Sequence, residues 1–517
     1  AVNDRVPDLE AGLDLEMPFS GYDNTREIIA AVKDGSLKEE ILNTACERIL
    51  RIVYRFEENR DGNAVFERDK DHEEARKIAE ETIVLLKNED ILPLRETQKV
   101  VLIGKYAEKP RYQGGGSSHI NSSKVTSAWE CLKNNENITY VQGFDDAQDM
   151  VDEVMQTEAV NAAKNAEAAV IFAGLPDSFE SEGYDRVHMH LPDCQNKLID
   201  AVCAVQKNVV VVLHNGSPVE MPWIDQVKGV VEAYLGGQAV GAAEADILYG
   251  KVNPSAKLPE TFPIRLEDNP SYIYYGGENQ KVEYREGVFV GYRYYDKKKL
   301  QVLFPFGHGL SYTSFSYSNL RLDKEEMKDT DSLQVSVDIT NTGNRTGKEA
   351  VQFYVGAPED SRIIRPVKEL RAFEKVELNP GETKTISVTF DKRAFAYWNT
   401  EIHNWVAPSG KYTIMAAASS RDIRCSKKIS IECTEVIPVR YTLDTTFGEI
   451  MENEKAMKIM KPLADQLSRK LVTDQDEGAV TGEMGRAMLY YMPIRNLACF
   501  GGVDKESIYK ALEEINC

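Results

Sequence analysis

Four short, almost wholly apolar runs constrain this chain more than any other feature. They are Val100-Val101-Leu102-Ile103-Gly104, Ala168-Ala169-Val170-Ile171-Phe172-Ala173-Gly174, Val209 to Leu213 and Gly229 to Tyr234. A strand apolar on both faces has to be covered on both faces, which is the habit of parallel sheets. Helical periodicity near 147–167 and 194–206 supplies that cover, so residues 75–252 are predicted to form an α/β sandwich domain. A helix is predicted from Glu73 to Leu86, leading into the first strand.

The second of these runs leads, through Leu175-Pro176-Asp177, into Glu180-Ser181-Glu182-Gly183-Tyr184-Asp185-Arg186. Three carboxylates and an arginine thus lie just past the carboxyl end of a strand, where open α/β sheets place ligands. The Arg186 fork can hold one carboxylate ionised and oriented, while crowding of like charges keeps another protonated, as a general acid requires. Composition alone favours a solvated acidic loop with a surface ion pair.

Two other stretches carry candidate chemistry. Arg111-Tyr112-Gln113-Gly114-Gly115-Gly116-Ser117-Ser118 lets backbone amides approach a ligand closely. It lacks both GxxxxGK[ST] and GxGxxG, which weakens a nucleotide-phosphate reading in favour of a plain loop. His214, in His214-Asn215-Gly216-Ser217-Pro218, ends another strand; a lone histidine there reads as a hydrogen-bonded structural residue more readily than as a catalytic one.

Glu182-Gly183-Tyr184-Asp185-Arg186 resembles the acid/base loop of glycoside hydrolase family 3, the β-glucosidase family. The resemblance implies that Glu182 is the proton donor, with Asp185 and Arg186 supporting the loop and Gly115, Gly116 and Ser117 lining the catalytic cleft. Glu180 and Asp185 remain alternative donors. Other family-like stretches occur in order along the chain. Gly12-Leu13-Asp14-Leu15-Glu16-Met17-Pro18 resembles the last strand of an N-terminal (β/α)8 barrel, and Ala1-Val2-Asn3-Asp4-Arg5 resembles the segment just after the family's nucleophile-bearing Ser-Asp-Trp. Residues 1–57 are accordingly expected to be a barrel remnant of one strand and its helices, with an amphipathic helix through Ile41, Ala45, Ile49, Val53 and Phe56. The expectation is that the nucleophile is not among these residues.

The rest of the chain divides by pattern. Residues 58–74 are polar and read as a linker. Residues 253–312, rich in Pro, Gly and Tyr, resemble the family's ordered connector; their aromatics fit packing between domains better than a sugar-stacking platform. From 313 to 434 the period becomes two, as in Leu333, Val335, Val337 and Ile339, with turns such as Asn379-Pro380-Gly381. That is the pattern of a β-sandwich, and it resembles the family's fibronectin type III-like domain. Residues 435–517 are expected to be a helical C-terminal extension. The fold class is therefore multidomain, α/β plus all-β.

Composition bounds the partners. A formal net charge of −21 argues against a nucleic-acid backbone as ligand. No run approaches the roughly 18 apolar residues of a membrane span. The eight cysteines are scattered without a CxxC pair, so neither a zinc site nor a disulfide scaffold is expected, and a reducing, cytoplasmic setting fits. The resemblance implies no cofactor and no metal, and a β-glucoside or other small glycoside as substrate. Homo-oligomerisation stays open. The reading is an exo-acting, retaining glycosidase in which this chain supplies the acid/base. Two others stand beside it: a non-catalytic carbohydrate-binding or assembly protein derived from such an enzyme and, more weakly, a nucleotide-binding α/β protein.

Overall fold

The computed structural model describes residues 4–516 apart from 20, 360–362, 472–483, 485–486, 488–489 and 502. It begins with three helices, α1 (Arg5–Glu10), α2 (Tyr22–Asp34) and α3 (Glu39–Glu58). The strand expected at 11–18 is not formed: a turn leads into irregular backbone. A strand needs a neighbour to take up its N–H and C=O groups, and no strand among the described residues pairs with this segment. The expected barrel remnant is thus helical only. Helix α3 buries Ala45 but leaves Leu50, Val53 and Phe56 exposed.

Helix α4 (Arg68–Thr82) starts inside the predicted linker and stops earlier than predicted. Residues Val84–Asn88 form β1, an edge strand antiparallel to β6 (Gly229–Glu232). The run Ile83-Val84-Leu85-Leu86 fits a helix face or a buried strand equally, and the free sheet edge decided it. The other strands are β2 (Val100–Ile103), β3 (Ile138–Val141), β4 (Ala168–Gly174) and β5 (Val209–His214). The order β1-β6-β5-β4-β2-β3 makes the sheet parallel except at β1. Every residue of β2, β4, β5 and β6 is buried, as their apolar composition demands.

Helices α6 (Glu153–Asn165) and α7 (Asp193–Val205) pack together on one face of the sheet, where right-handed crossovers would put them. On the other face α5 (Ala128–Leu132) packs with α8 (Val240–Leu248), and α8 with α4. Neither α5 nor α8 was expected, and β3 was missed because its alternation is too short to stand out.

Past the connector, the strands Thr383–Phe390, Leu333–Asn341 and Phe315–Leu322 form one sheet of a β-sandwich. The other sheet is built on Gly347–Gly356 and Gly410–Ala417. Leu333, Val335, Val337 and Ile339 all face its core, fully buried. The connector splits in two. Tyr292 stacks on Phe306 at 4.6 Å and meets Tyr354 of the sandwich edge-on, whereas Tyr275 and Tyr284 are exposed. In the C-terminal region the helices Glu454–Leu471 and Lys505–Asn516 share a small core around Ile450, Met460, Ile494 and Leu512. Among the described residues no helix is long and apolar enough to cross a membrane.

Candidate active site

The sheet reverses its winding between β2 and β4, since β3 lies on one side of β2 and β4 on the other. Loops leaving neighbouring carboxyl ends diverge at such a point and open a crevice. The loop after β2 brings Gly114–Ser118 to it, and the loop after β4 brings Glu180–Arg186. Two glycines permit the approach. Gly116 has φ +83°, and a Cβ there would stand 2.5 Å from the Cβ and 2.6 Å from Oε2 of Glu182. On Gly115 a Cβ would collide with Ser181 Oγ.

Ser117 closes the junction. Its amide donates to Glu182 Oε2 at 2.6 Å, and its hydroxyl donates to the same oxygen. The hydroxyl first, then the amide, hold the Glu182 carboxyl below its ordinary range. Like-charge crowding was expected to raise a carboxyl in this loop; instead Glu182, exposed and doubly hydrogen-bonded, is held ionised. That is the form that deprotonates water. Covering its exposed carboxyl would push it the other way, because burial disfavours the charge.

Glu180 is committed elsewhere. Arg111 Nη1 donates to its Oε2 at 2.7 Å and Gly216 N at 2.8 Å, and Ser217 Oγ donates to Oε1. Burial works to raise this carboxyl, but the bonds from Ser217, Arg111 and Gly216 outweigh it and hold it low. A carboxylate so enclosed is fixed in place and held in its charged form. Asp177 meets Arg111 Nε at 3.3 Å, and Asp185 meets the Tyr275 hydroxyl.

The arginine that organises the loop is therefore Arg111, not Arg186. Arg186 was expected to hold a carboxylate of this loop; its guanidinium turns instead to Ser217 Oγ at 2.7 Å and the Pro218 carbonyl at 3.0 Å. Asp185 is exposed and points to the connector, so the two neighbours in sequence face different partners. His214 is buried: its Nδ1–H donates to the Arg111 carbonyl at 3.1 Å, and Nε2 lies 3.0 Å from Glu244 Oε1. It props the backbone that carries Arg111, which is the structural role.

The raised carboxyls lie deeper. Glu232, at the end of β6, is pushed well up by complete burial, and Glu260 is pushed to about 6, chiefly by burial with the Glu180 charge adding to it. Arg111, Ser217 and Glu260 were not singled out as site residues from sequence. Arg111 carried one signal, a lone base at the head of the glycine run. Among the described residues no group of three or more His, Cys, Asp or Glu side chains is placed to hold a metal.

A family model described as the glycosyl hydrolase family 3 C-terminal domain matches residues 83–312, and one described as a fibronectin type III-like domain matches 349–420. Thermostable beta-glucosidase B of Acetivibrio thermocellus is 48% identical over 523 residues, 100% of this chain and 69% of that protein. An exo-alpha-(1->6)-L-arabinopyranosidase of Bifidobacterium breve is 40% identical over 522 residues, 98% of this chain and 67% of that one. Among solved structures, the GH3 beta-glucosidase of Bifidobacterium adolescentis matches with a TM-score of 0.82 at 39% identity, over 89% of this chain and 67% of the other. Beta-glucosidase 3B from Thermotoga neapolitana, solved with alpha-D-glucose, matches at 0.74 and 33%, over 83% and 65%.

Proposed function

The chain belongs to glycosyl hydrolase family 3, and on that premise we propose that it bears the acid/base of an exo-acting, retaining β-glucosidase. Glu182 protonates the glycosidic oxygen as the bond breaks, then takes a proton from the water that releases the glycosyl-enzyme. The nucleophilic carboxylate, which in a retaining enzyme stands about 5–5.5 Å from the acid/base, comes from a barrel segment outside residues 1–517.

One observation carries this reading: Glu182 is exposed and set by Ser117 at the crevice between the loops after β2 and β4, whereas Glu180 is enclosed by Arg111, Gly216 and Ser217. Arg111 holds Glu180 and meets Asp177, and Asp185 is exposed on the side of the connector near Tyr275. The family resemblance of the Glu182–Arg186 motif supports the same assignment. The name of the Acetivibrio relative supports a terminal β-D-glucosyl unit as substrate. That of the Bifidobacterium breve relative supports an arabinopyranosyl unit as a second reading.

A general acid matters most when the leaving group is poor. In the enzyme that carries this chain together with its nucleophile, Glu182→Gln is expected to slow disaccharides severely and activated aryl glycosides much less. Azide is expected to rescue Glu182→Ala in part, by attacking the glycosyl-enzyme where the base is lost. If Glu180→Ala shows this pattern and Glu182→Ala does not, the assignment is overturned. Steady hydrolysis of an aryl β-glucoside by residues 1–517 alone would overturn the division of the two carboxylates. Running aryl β-glucoside and aryl α-L-arabinopyranoside side by side separates the two substrate readings.

A further inference from the structure

Glu244 stands on α8 in apolar company. Val240, Ala243, Ile247 and Leu248 of the same helix are fully buried, and Glu244 itself is 1% exposed. A carboxyl taken out of water is costly unless a group beside it answers it. That group is His214 at the end of β5, equally enclosed, with Nε2 3.0 Å from Glu244 Oε1. The contact is close without being aligned as a hydrogen bond. No other hydrogen bond among the described residues reaches Nε2 or either Glu244 oxygen, so the two side chains have each other as polar neighbours. Neither can touch a substrate, so the pair takes no direct part in hydrolysis.

The other nitrogen of His214 links the pair to the site. The ring lies 5.6 Å from the Tyr106 ring and 6.2 Å from that of Phe172, and Nδ1 is 3.1 Å from the Arg111 carbonyl. A carbonyl only accepts, so the hydrogen sits on Nδ1. Which imidazole nitrogen carries the hydrogen is set by the partner of the other one, and here that partner is Glu244.

Arg111 opens the segment that supplies both grips on the catalytic loop. Its Nη1 and Nη2 donate to Glu180 Oε2 at 2.7 Å and to the Glu180 carbonyl at 2.8 Å, and six residues on the Ser117 amide donates to Glu182 at 2.6 Å. The start of this segment is pinned at two successive carbonyls, Arg111 by His214 and Tyr112 by the Gly237 amide at 2.9 Å. We propose that Glu244 is a positioning residue for the acid/base: through His214 it fixes the backbone of Arg111, and with it the groups that place Glu180 and Glu182. This inference rests on the assignment of Glu182 as the acid/base.

The test uses the enzyme that carries this chain together with its nucleophile and reads kcat/KM, which reports the breaking of the glycosidic bond. Glu244→Leu, close to glutamate in size, removes the carboxyl. Its kcat/KM for a disaccharide is expected to fall about ten- to a hundredfold, because a displaced acid no longer meets the leaving oxygen. For an aryl glycoside with a good leaving group the fall is expected to stay within about threefold. Glu244→Gln, whose amide still meets Nε2, is expected to restore most of the disaccharide activity. A variant that merely left less folded enzyme would lower both substrates by one factor, and circular dichroism checks folding besides. Nitrogen NMR of the His214 ring is expected to show the hydrogen on Nδ1 in the unaltered chain and in Glu244→Gln. The proposal is overturned by an unchanged disaccharide rate in Glu244→Leu, by equal losses on the two substrates, by Glu244→Gln as impaired as Glu244→Leu, or by a hydrogen on Nε2 alone. A silent Glu244→Leu beside a Glu182→Gln that keeps its leaving-group dependence overturns this proposal only; loss of that dependence in Glu182→Gln overturns the catalytic assignment itself.

Discussion

At the scale of single residues, two carboxyls respond to opposite forces. Glu182 is held low by hydrogen bonds from Ser117, the hydroxyl contributing more than the amide. Ser117→Ala is therefore expected to raise the Glu182 pKa toward the ordinary glutamate value without reaching it, because the amide bond remains. Carboxyl-carbon NMR titration reads this directly, and an unmoved Glu182 would show that the hydroxyl does not act on it. Glu260 is held high, from 4.5 to about 6: burial is the main cause, the Glu180 charge adds to it, and the Tyr234 hydroxyl and Arg186 oppose it. The folded state then binds more protons than the unfolded one between those two values, so this group's contribution to stability falls as pH rises through that window. Above about 6 the full cost of the buried charge is present. Glu260→Gln is expected to stabilise the protein at pH 7 by about 1–2 kcal/mol and to have no such effect below the ordinary glutamate pKa. Denaturant midpoints at the two pH values check both the sign and the window.

At the scale of elements, the site is a meeting of two loops that only small residues allow. Gly116 combines φ +83° with the closest approach to Glu182, so Gly116→Ala faces both backbone strain and a clash. Strain in the left-handed region costs an ordinary residue about 1–2 kcal/mol, and the clash adds to it. The loop is solvent-facing, so it is expected to move away from Glu182 while the sheet stays folded. We expect melting to change little and the Ser117–Glu182 bonds to be lost, seen as a Glu182 titration near its ordinary value. A Glu182 pKa as low as in the unaltered chain would show that the loop accommodates a side chain. Element boundaries obeyed the same logic of neighbours: the apolar run after α4 became β1 because β6 offered an unpaired edge.

At the scale of the whole molecule, the connector joins the α/β domain to the sandwich through a buried aromatic cluster and a set of polar bonds, among them Gln352 to the Gly307 carbonyl and Lys257 to Glu349. Tyr292 is 9% exposed, stacks on Phe306, meets Tyr354, and its hydroxyl accepts from the Leu370 amide at 2.8 Å. Asp296 beside it receives Lys368 at 2.7 Å and Arg421 at 2.9 Å, both from the sandwich. Glu81 of α4 reaches Lys348 and Lys375 on the sandwich surface as well. Those last pairs are partly exposed and contribute under about 1 kcal/mol each, so they add little beside the buried aromatic anchor. Tyr292→Ala is expected to cost about 3–5 kcal/mol and to split thermal unfolding into separate transitions for the two domains. A single calorimetric transition at an unchanged temperature would place the coupling elsewhere.

Much of this was legible in the chain itself. Residues 168–174 and 209–213 had to be doubly covered strands because nothing polar interrupts them, and 333–339 had to be a half-buried strand because its apolar residues alternate. The loop bearing Glu182 came from a motif five residues long, and the family from that motif together with similar stretches in order along the chain. Local pattern reaches that far because periodicity and motif are properties of consecutive residues. The tertiary structure decided what depends on distant ones. Arg111 and Glu180 are 69 positions apart, and only the winding of the sheet at β2 and β4 makes Arg111, not the adjacent Arg186, the clamp of that loop. Whether residues 84–88 are strand or helix depended on an edge supplied by residues 229–232. Whether a carboxyl is held low, like Glu182, or high, like Glu260, depended on burial and on which donors arrive, and neither is written in the residue or its neighbours.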